Sequence, residues 1–598
     1  MNQEDICQEL NQIAIHELQQ LEQSLPGDPI SCFVLFTEMN RVSDYYGIGT
    51  NYNLDNKRVV TQTVDIMKMG WNLAASYLLK PLDLTGFPFV ESTEITRRHA
   101  GGLLYKFGCH NLLKRTQDMI RAGFLLAEKN ETGYVFRKST IPDSQFPDLL
   151  EFTLLENLQT EIKASVGKTY AGWNVVNQNT IVENLSRVNN FLFHDDKTDL
   201  SAYALVDIES VMTPLIKPWN SAHGIMLSYD STPEVDNHFL ALATRLVLKW
   251  RDEAGLHPDI QLGKISSREL TSIVIIVVSL HLKHFHFASI ASQKYPEILI
   301  PQSLTIWDPL DKLIQDISEF SGMNPTIVSH VFEMLVLKPI DTPFLKTNTS
   351  GFVPLLADMG NGYVLRPGSG VYINPFFFIL SLLEHRNPNV RHAISSPRED
   401  WLRNDLNALF QGVRYQRVEG NIKIREGNVV VTDIDAAIYD NLTGELALFQ
   451  IKWQDYFFND VKKLRSKASN LTKNLDEWAE KVTQWIKKNG TTKLTHDLGI
   501  RVVPEKNTSI YLFGISRSLA RMKGYGFRTH NENLAIANWP QFIRNRSNIG
   551  PAPRVFHTLF ETLRNQEDEQ VKSKPMPIEI IVSDKVMRYN DFWSSIED

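Results

Sequence analysis

Asp433, Asp435, Gln450 and Lys452 fall within one short stretch, EGNVVVTDIDAAIYDNLTGELALFQIK, from Glu426 to Lys452. Carboxylates beside a lysine at the edge of a sheet suit a hard divalent cation and an activated water. Those are the requirements of phosphodiester hydrolysis.

The elements that would position these groups are two strands and a turn. From Val429 to Tyr439 β-branched and apolar residues dominate, and successive strand side chains point to opposite faces. Val430, Thr432, Ile434, Ala436 and Ile438 are expected on one face. Val429, Val431, Asp433, Asp435 and Ala437 are expected on the other. Asp440-Asn441-Leu442-Thr443-Gly444 is a turn signal between apolar runs, so a hairpin is expected. Its second strand, Glu445 to Trp453, places Leu446, Leu448, Gln450 and Lys452 together, with Ala447, Phe449, Ile451 and Trp453 opposite. A polar cluster at the ends of apolar strands needs a metal, a cation or water, because unpaired buried carboxylates are costly. A plain salt bridge between Lys452 and one of the acids is the simpler alternative.

The combination of an Asp strand, a tight turn and a Gln-x-Lys strand resembles the PD-(D/E)xK nuclease superfamily, in its Mrr-like and Holliday-junction-resolvase-like members. The resemblance extends to both sides of the hairpin and covers the C-terminal third. Ser395-Ser396-Pro397-Arg398-Glu399-Asp400-Trp401-Leu402 reads as a helix start with proline in the first turn and acids at the positive end of the dipole. Glu399 lies 36 residues before Asp435 and matches the acid of that family's first helix. Arg414 to Ile424 would supply the first strand. Val461, Leu464, Ala468, Leu471, Leu475, Trp478, Val482 and Trp485 mark an amphipathic helix after the Gln-x-Lys strand. Ile510 to Ser516 and Asn533 to Ala537 follow as strands.

The resemblance implies a metal-dependent endonuclease. Asp435 would ligate Mg²⁺ or Mn²⁺, Gln450 would contribute its side-chain oxygen, and the Ile451 carbonyl would add another. Glu399 would hold the metal through a bound water. Lys452 would orient or deprotonate the attacking water and stabilise charge on the phosphorane. Gln450 departs from the commoner acidic pattern, and a neutral amide oxygen weakens metal affinity. Asp433 is the residue placed to restore the missing charge.

The charge distribution agrees with a nucleic-acid partner, and the resemblance implies DNA in preference to RNA. The chain carries a net charge of −7, yet residues 445–525 hold 15 Lys or Arg against 8 Asp or Glu. Lys462, Lys463, Arg465, Lys467 and Lys473 cluster on the amphipathic helix, and Arg517, Arg521, Lys523 and Arg528 follow the next strand. Cations spread in this way contact phosphates without reading bases.

The length of 598 residues, with 43% hydrophobic side chains, predicts several domains with sizeable cores. The expected class is multidomain α+β. Residues 1–140 form a mainly helical domain, in which 95–139 has the helix-then-hairpin pattern of a winged-helix module. Residues 141–390 form a mainly helical region, with segments at 148–164, 235–255, 268–292, 308–338 and 374–386. Residues 391–598 form an α/β restriction-endonuclease-like domain whose central mixed sheet is flanked by helices. MNQEDICQEL is acidic, and a signal peptide is not expected. The most apolar run, Ile273 to Val278, is short for a membrane span. Cys7, Cys32 and Cys109 predict free thiols in a reducing cytoplasm. No Walker motif or Rossmann glycine pattern is present.

Two further constellations carry chemistry. His281, His284 and His286 end an apolar segment without a nearby acid or cysteine, so buried histidines are expected there in preference to zinc. Arg386-Asn387, followed by His392, resembles the Arg-polar-x4-His motif of HEPN-type ribonucleases, which need no metal, although Pro388 interrupts it. Three functions follow. The first is a DNA endonuclease whose architecture looks like a bacterial defence effector against phage or plasmids, assembled as a homo-oligomer with or without a further subunit. The second is an inactive nuclease fold retained for binding or scaffolding. The third is RNA cleavage through Arg386 and His392.

Overall fold

The computed structural model describes residues 2–52, 61–83, 91–139, 207–221, 224–258, 260–347, 353–371, 374–418, 422–453, 461–503, 506–517, 527–549, 552–566 and 573–596. It also describes Phe89, Leu519, Met522 and the strand pair 169–170/173–174. The expected helix at 148–164 lies outside the described residues, as do Arg521 and Lys523. The protein is mixed α+β, with helices dominating the N-terminal part and mixed sheets the C-terminal part.

Helices Gln3–Ser24, Pro29–Tyr52, Thr61–Leu78 and Glu94–Arg121 form the N-terminal bundle. Asn2 and Thr93 cap the first and last of these through capping boxes. The helix and hairpin expected at 95–139 are present as Glu94–Arg121, Leu125–Lys129 and Gly133–Lys138. The hairpin, however, continues into a four-stranded sheet. Gly133–Lys138 pairs in parallel with Lys585–Ile596, which pairs with Ser573–Val582. Residues 573–596 therefore complete the N-terminal sheet, although chain order alone groups them with 391–566. Such pairing over more than 400 residues leaves no local trace.

In the middle region, helices Pro233–Glu253 and Ser267–Lys294 pack in one core with Pro325–Leu335 and Pro375–Arg386. Helix Ser267–Lys294 is longer than the run read from sequence, and its length and composition would suffice to cross a membrane. Most of its apolar window is buried inside the protein. The segment expected to be helical at 308–338 is two helices, Leu310–Ser321 and Pro325–Leu335, broken by Gly322 at φ +67°. The region also holds a four-stranded sheet of Val336–Leu337, Leu356–Asp358, Tyr363–Arg366 and Ile306–Pro309, in that order. Strands of two to four residues are too short to show periodicity.

The C-terminal unit contains helix α1 (Val390–Ala408), β1 (Tyr415–Val418), β2 (Ile422–Glu426), β3 (Val429–Ile434), β4 (Ala436–Asp440) and β5 (Glu445–Lys452). These are followed by α2 (Val461–Asn489), β6 (Ser509–Ser516), β7 (Leu534–Asn538), α3 (Trp539–Ile549) and α4 (Val555–Gln566). Its five-stranded sheet has the order β1-β4-β5-β6-β7. Antiparallel pairing joins β1, β4 and β5, and parallel pairing joins β5, β6 and β7. Leu402, Leu406, Phe542, Phe556 and Leu559 of α1, α3 and α4 cover one face, against Ala436, Ile438, Phe449 and Ile451. Leu471, Leu475, Trp478, Val482 and Trp485 of α2 cover the other, against Ala437, Tyr439, Leu446 and Leu448. Gly514, opposite Gln450 in register, lets α2 approach closely, since a Cβ there would lie 2.7 Å from the Leu475 side chain. The β4–β5 turn is fixed by Asp440, which accepts from the Leu442 amide at 2.8 Å and is buried against Arg414 at 2.7 Å.

Two expectations need correction. Proline at 397 lies inside α1, which begins seven residues earlier, so Glu399 is mid-helix and not at the positive end of the dipole. Proline favours a first turn but is tolerated within a helix at a cost of about 3 kcal/mol where packing supplies it. Secondly, Val429 to Tyr439 is not one strand. The chain bends at Asp435, separating β3, which among the described strands pairs with β2 alone, from β4 in the main sheet. Ile434 consequently packs with Ala437 and Tyr439 on the α2 face, not with Ala436 and Ile438.

Candidate metal centre and nucleic-acid interface

The bend brings Asp435 to the middle of the candidate site. Its backbone N–H donates to the Phe449 carbonyl at 3.0 Å, so its position relative to β5 is fixed by the sheet itself. Its carboxylate is buried, and Oδ2 accepts from the Gln450 side-chain amide at 2.6 Å and from the Ile451 backbone N–H at 2.7 Å. Lys452 Nζ stands 3.9 Å from Asp435 Oδ2 and 3.9 Å from Glu399 Oε1. The structure therefore brings Asp435, Gln450, Ile451, Lys452 and Glu399 to one place.

Burial raises the Asp435 carboxyl to about 6, against lowering by Lys452 and the Ile451 amide, and the nearby Asp433 and Glu399 raise it further. A buried acid beside two other acids, with one lysine between, favours an added cation on electrostatic grounds. Gln450 supplies a second sign. Its Nε2 is used on Asp435, while its Oε1 is buried with no hydrogen-bond partner among the described residues. A buried carbonyl without a partner is costly and requires a reason. An oxygen donor set of Asp435, Gln450 and Glu399 fits Mg²⁺ or Mn²⁺, which prefer carboxylate and carbonyl oxygen. Among the described residues, no cluster of three or more His, Cys, Asp or Glu is placed to hold a metal, so any cation here relies on the glutamine oxygen.

Asp433 does not extend this cluster as the alternation implied. It pairs across the β2–β3 hairpin with Lys423, and its backbone carbonyl accepts from the Trp478 indole at 2.7 Å. It remains close enough to raise Asp435, but the bend has turned its strand away from the main sheet.

The basic residues separate into groups. Lys462 and Lys463 stand in the first turn of α2, and their side chains lie outside the described residues. Arg465 and Lys467 are half-buried along the same helix, with Arg465 over the Phe527 ring at 5.9 Å. Lys473 is exposed and 3.9 Å from Glu477. Arg517 was expected among the phosphate-contacting cations but is buried, with its guanidinium over Trp453 at 5.3 Å. Arg528 lies at the surface beyond β6.

The other constellations are structural in their contacts. Arg386 donates to Asp341 at 2.9 Å, to the Glu333 carbonyl at 2.7 Å and to the Val336 carbonyl at 2.9 Å, bracing the end of helix Pro325–Leu335. His392 is exposed in the first turn of α1. His284 bonds the Ser303 carbonyl at 2.8 Å and the Tyr229 hydroxyl at 3.0 Å, and His281 bonds the Val277 carbonyl at 2.8 Å. Burial, reinforced by Arg366, pushes both imidazoles down to about 3, so they are neutral core groups.

Sequence reasoning missed Trp453 as a neighbour of the site. Its ring stacks on Trp401 at 6.4 Å, and the Arg398 guanidinium lies 5.5 Å from its centre. The available signal was a tryptophan directly after the Gln-x-Lys strand. No protein-family model, curated protein or solved structure matches the chain.

Proposed function

We propose that residues 391–566 form a restriction-endonuclease-like unit that hydrolyses phosphodiester bonds of DNA with Mg²⁺ or Mn²⁺. The observation that carries this reading is the convergence of buried Asp435, the unbonded Gln450 Oε1 and Lys452 at the point where two strands meet. The topology supports it: a helix, three antiparallel strands, a covering helix and a parallel strand, with the acid at the bend just before β4 and the lysine at the end of β5.

Asp435, Gln450, the Ile451 carbonyl and Glu399 would hold the cation. When bound, it supplies charge stabilisation at the phosphoryl oxygens and lowers the pKa of a water. Lys452 lies between two carboxylates, 3.9 Å from each. It can donate to a phosphate oxygen or orient the attacking water. Gln450 adds no charge, so activity is expected to need a higher metal concentration than an all-acid site would. Cations of α2, with Arg528 beyond β6, would track the phosphate backbone. A role in defence, with homo-oligomers that cut both strands, belongs to the same proposal and rests on the resemblance alone.

The test is cleavage of plasmid, single-stranded DNA and RNA by wild type and Lys452→Ala across Mg²⁺, Mn²⁺ and EDTA. DNA cleavage that EDTA and Lys452→Ala both abolish is the expected result. Binding without cleavage under any condition would leave a nuclease-like binding module in its place.

A further inference from the structure

Each of the two elements that meet at Lys452 is fastened, one residue away, to the same corner of the middle region. On α1, Arg398 precedes Glu399. Its Nε donates to the Gly255 carbonyl at 3.0 Å and its Nη2 to the Ala254 carbonyl at 2.8 Å. These carbonyls follow helix Pro233–Glu253, where a helix end leaves acceptors without partners of its own. On β5, Trp453 follows Lys452 and packs directly onto Gly255. A Cβ added to Gly255 would lie 2.1 Å from Trp453 Cζ2, and Gly255 has φ +65°. The indole is held on its other sides by the Arg398 and Arg517 guanidinium groups and by Trp401, on which His257 packs nearly perpendicular with ring centroids 5.4 Å apart. Arg517 also donates its backbone N–H to the Lys452 carbonyl at 3.1 Å.

The start of α1 also packs in the middle-region core through Val390 and Ile394. At the corner itself, a glycine that can accept no side chain touches the neighbours of both Glu399 and Lys452. We infer that the corner 254–257 sets the position of Lys452 relative to Glu399, making the middle region a working part of the site. Gly255, Arg398 and Trp453 are its positioning residues, and any displacement of helix Pro233–Glu253 reaches Lys452 through them. The inference rests on the proposed function only in giving Lys452 and Glu399 a catalytic purpose.

The experiment compares full-length wild type, Gly255→Ala, and Gly255→Ala combined with Trp453→Phe. It reads kcat and KM for DNA cleavage, together with hydrogen exchange of α1 and β5. Gly255→Ala is expected to lower kcat about a hundredfold, the usual cost of a misplacement near 1 Å, with KM little changed. It should speed exchange in Val390–Ala408 and Glu445–Lys452 but not in Thr61–Leu78. The smaller phenylalanine ring removes the clash but not the strain of alanine at φ +65°, so it is expected to restore part of both. Wild-type rates in Gly255→Ala, or a loss that Trp453→Phe does not relieve, would overturn the clamp. If the wild type cuts no nucleic acid, the functional reading fails separately and exchange alone decides. Unaltered exchange in α1 and β5 overturns the clamp.

Discussion

Gln450 donates its side-chain amide to Asp435 Oδ2 across 2.6 Å, and its own oxygen is buried with no partner among the described residues. An ionised carboxylate can only accept, so the nitrogen must face Asp435 and the oxygen must face away. The pair is thus satisfied on one side and open on the other. That asymmetry yields the first prediction.

Gln450→Glu should exchange stability for metal affinity. Without metal, a second carboxylate would replace the donor now bonded to Asp435. Like-charge repulsion and the missing bond would cost about 1–3 kcal/mol. Thermal melting should fall in EDTA and recover in Mn²⁺ to a greater extent than in wild type. A variant as stable as wild type in EDTA, and indifferent to Mn²⁺, would remove Gln450 from the proposed metal centre.

The α2 cations should act on affinity and not on chemistry. Lys467→Ala with Lys473→Ala is expected to weaken duplex DNA binding and to flatten its salt dependence by roughly 1–2 in the log–log slope, at about 0.9 for each phosphate no longer neutralised. Fluorescence anisotropy across a salt series measures this. An unchanged slope would place the phosphate track on another surface.

Arg386 is expected to be a brace. Its Asp341 partner is buried, so Arg386→Ala should destabilise by about 3 kcal/mol, as a broken buried pair does. Per folded molecule, EDTA-sensitive DNA cleavage should persist. Loss of a metal-independent RNA cleavage in a variant that melts like wild type would instead favour the HEPN-like reading.

His281 and His284 fix the sign of one pH dependence. Their values in the fold are depressed to about 3, below an unfolded value near 6.5. Their contribution to stability is therefore present above about pH 6.5 and is lost as pH falls toward 3. With both protonating only on unfolding, the slope approaches about 3 kcal/mol per pH unit. The thermal midpoint should drop between pH 7 and pH 5, and His281→Gln with His284→Gln should drop less. Equal drops in the two proteins would contradict neutral core histidines.

Much of the candidate site was legible because strand periodicity is short-range. Leu446, Leu448, Gln450 and Lys452 share a face through pleating alone, and the Asp440–Gly444 turn determines which strand lies opposite. The bend at Asp435 was not legible, because β-branched residues continue on both sides of it and no glycine or proline marks it. Pro397 misled, since its preference for a first turn was overridden by packing of Val390 and Ile394, upstream of it, in the middle-region core. Pairing of Gly133–Lys138 with Lys585–Ile596, and packing of Trp453 on Gly255, are long-range and have no local signature. The small sheet of the middle region escapes for a third reason, the shortness of its strands.

The most direct measurement of the central claim is the initial rate of DNA cleavage in Mn²⁺ by wild type and Asp435→Ala, both folded and at equal concentration. A metal ligand and buried acid at the centre of the site predicts a loss of at least about a hundredfold in Asp435→Ala, with EDTA reducing wild type to the same level. Undiminished cleavage by Asp435→Ala, or wild-type cleavage that persists in EDTA, would contradict it.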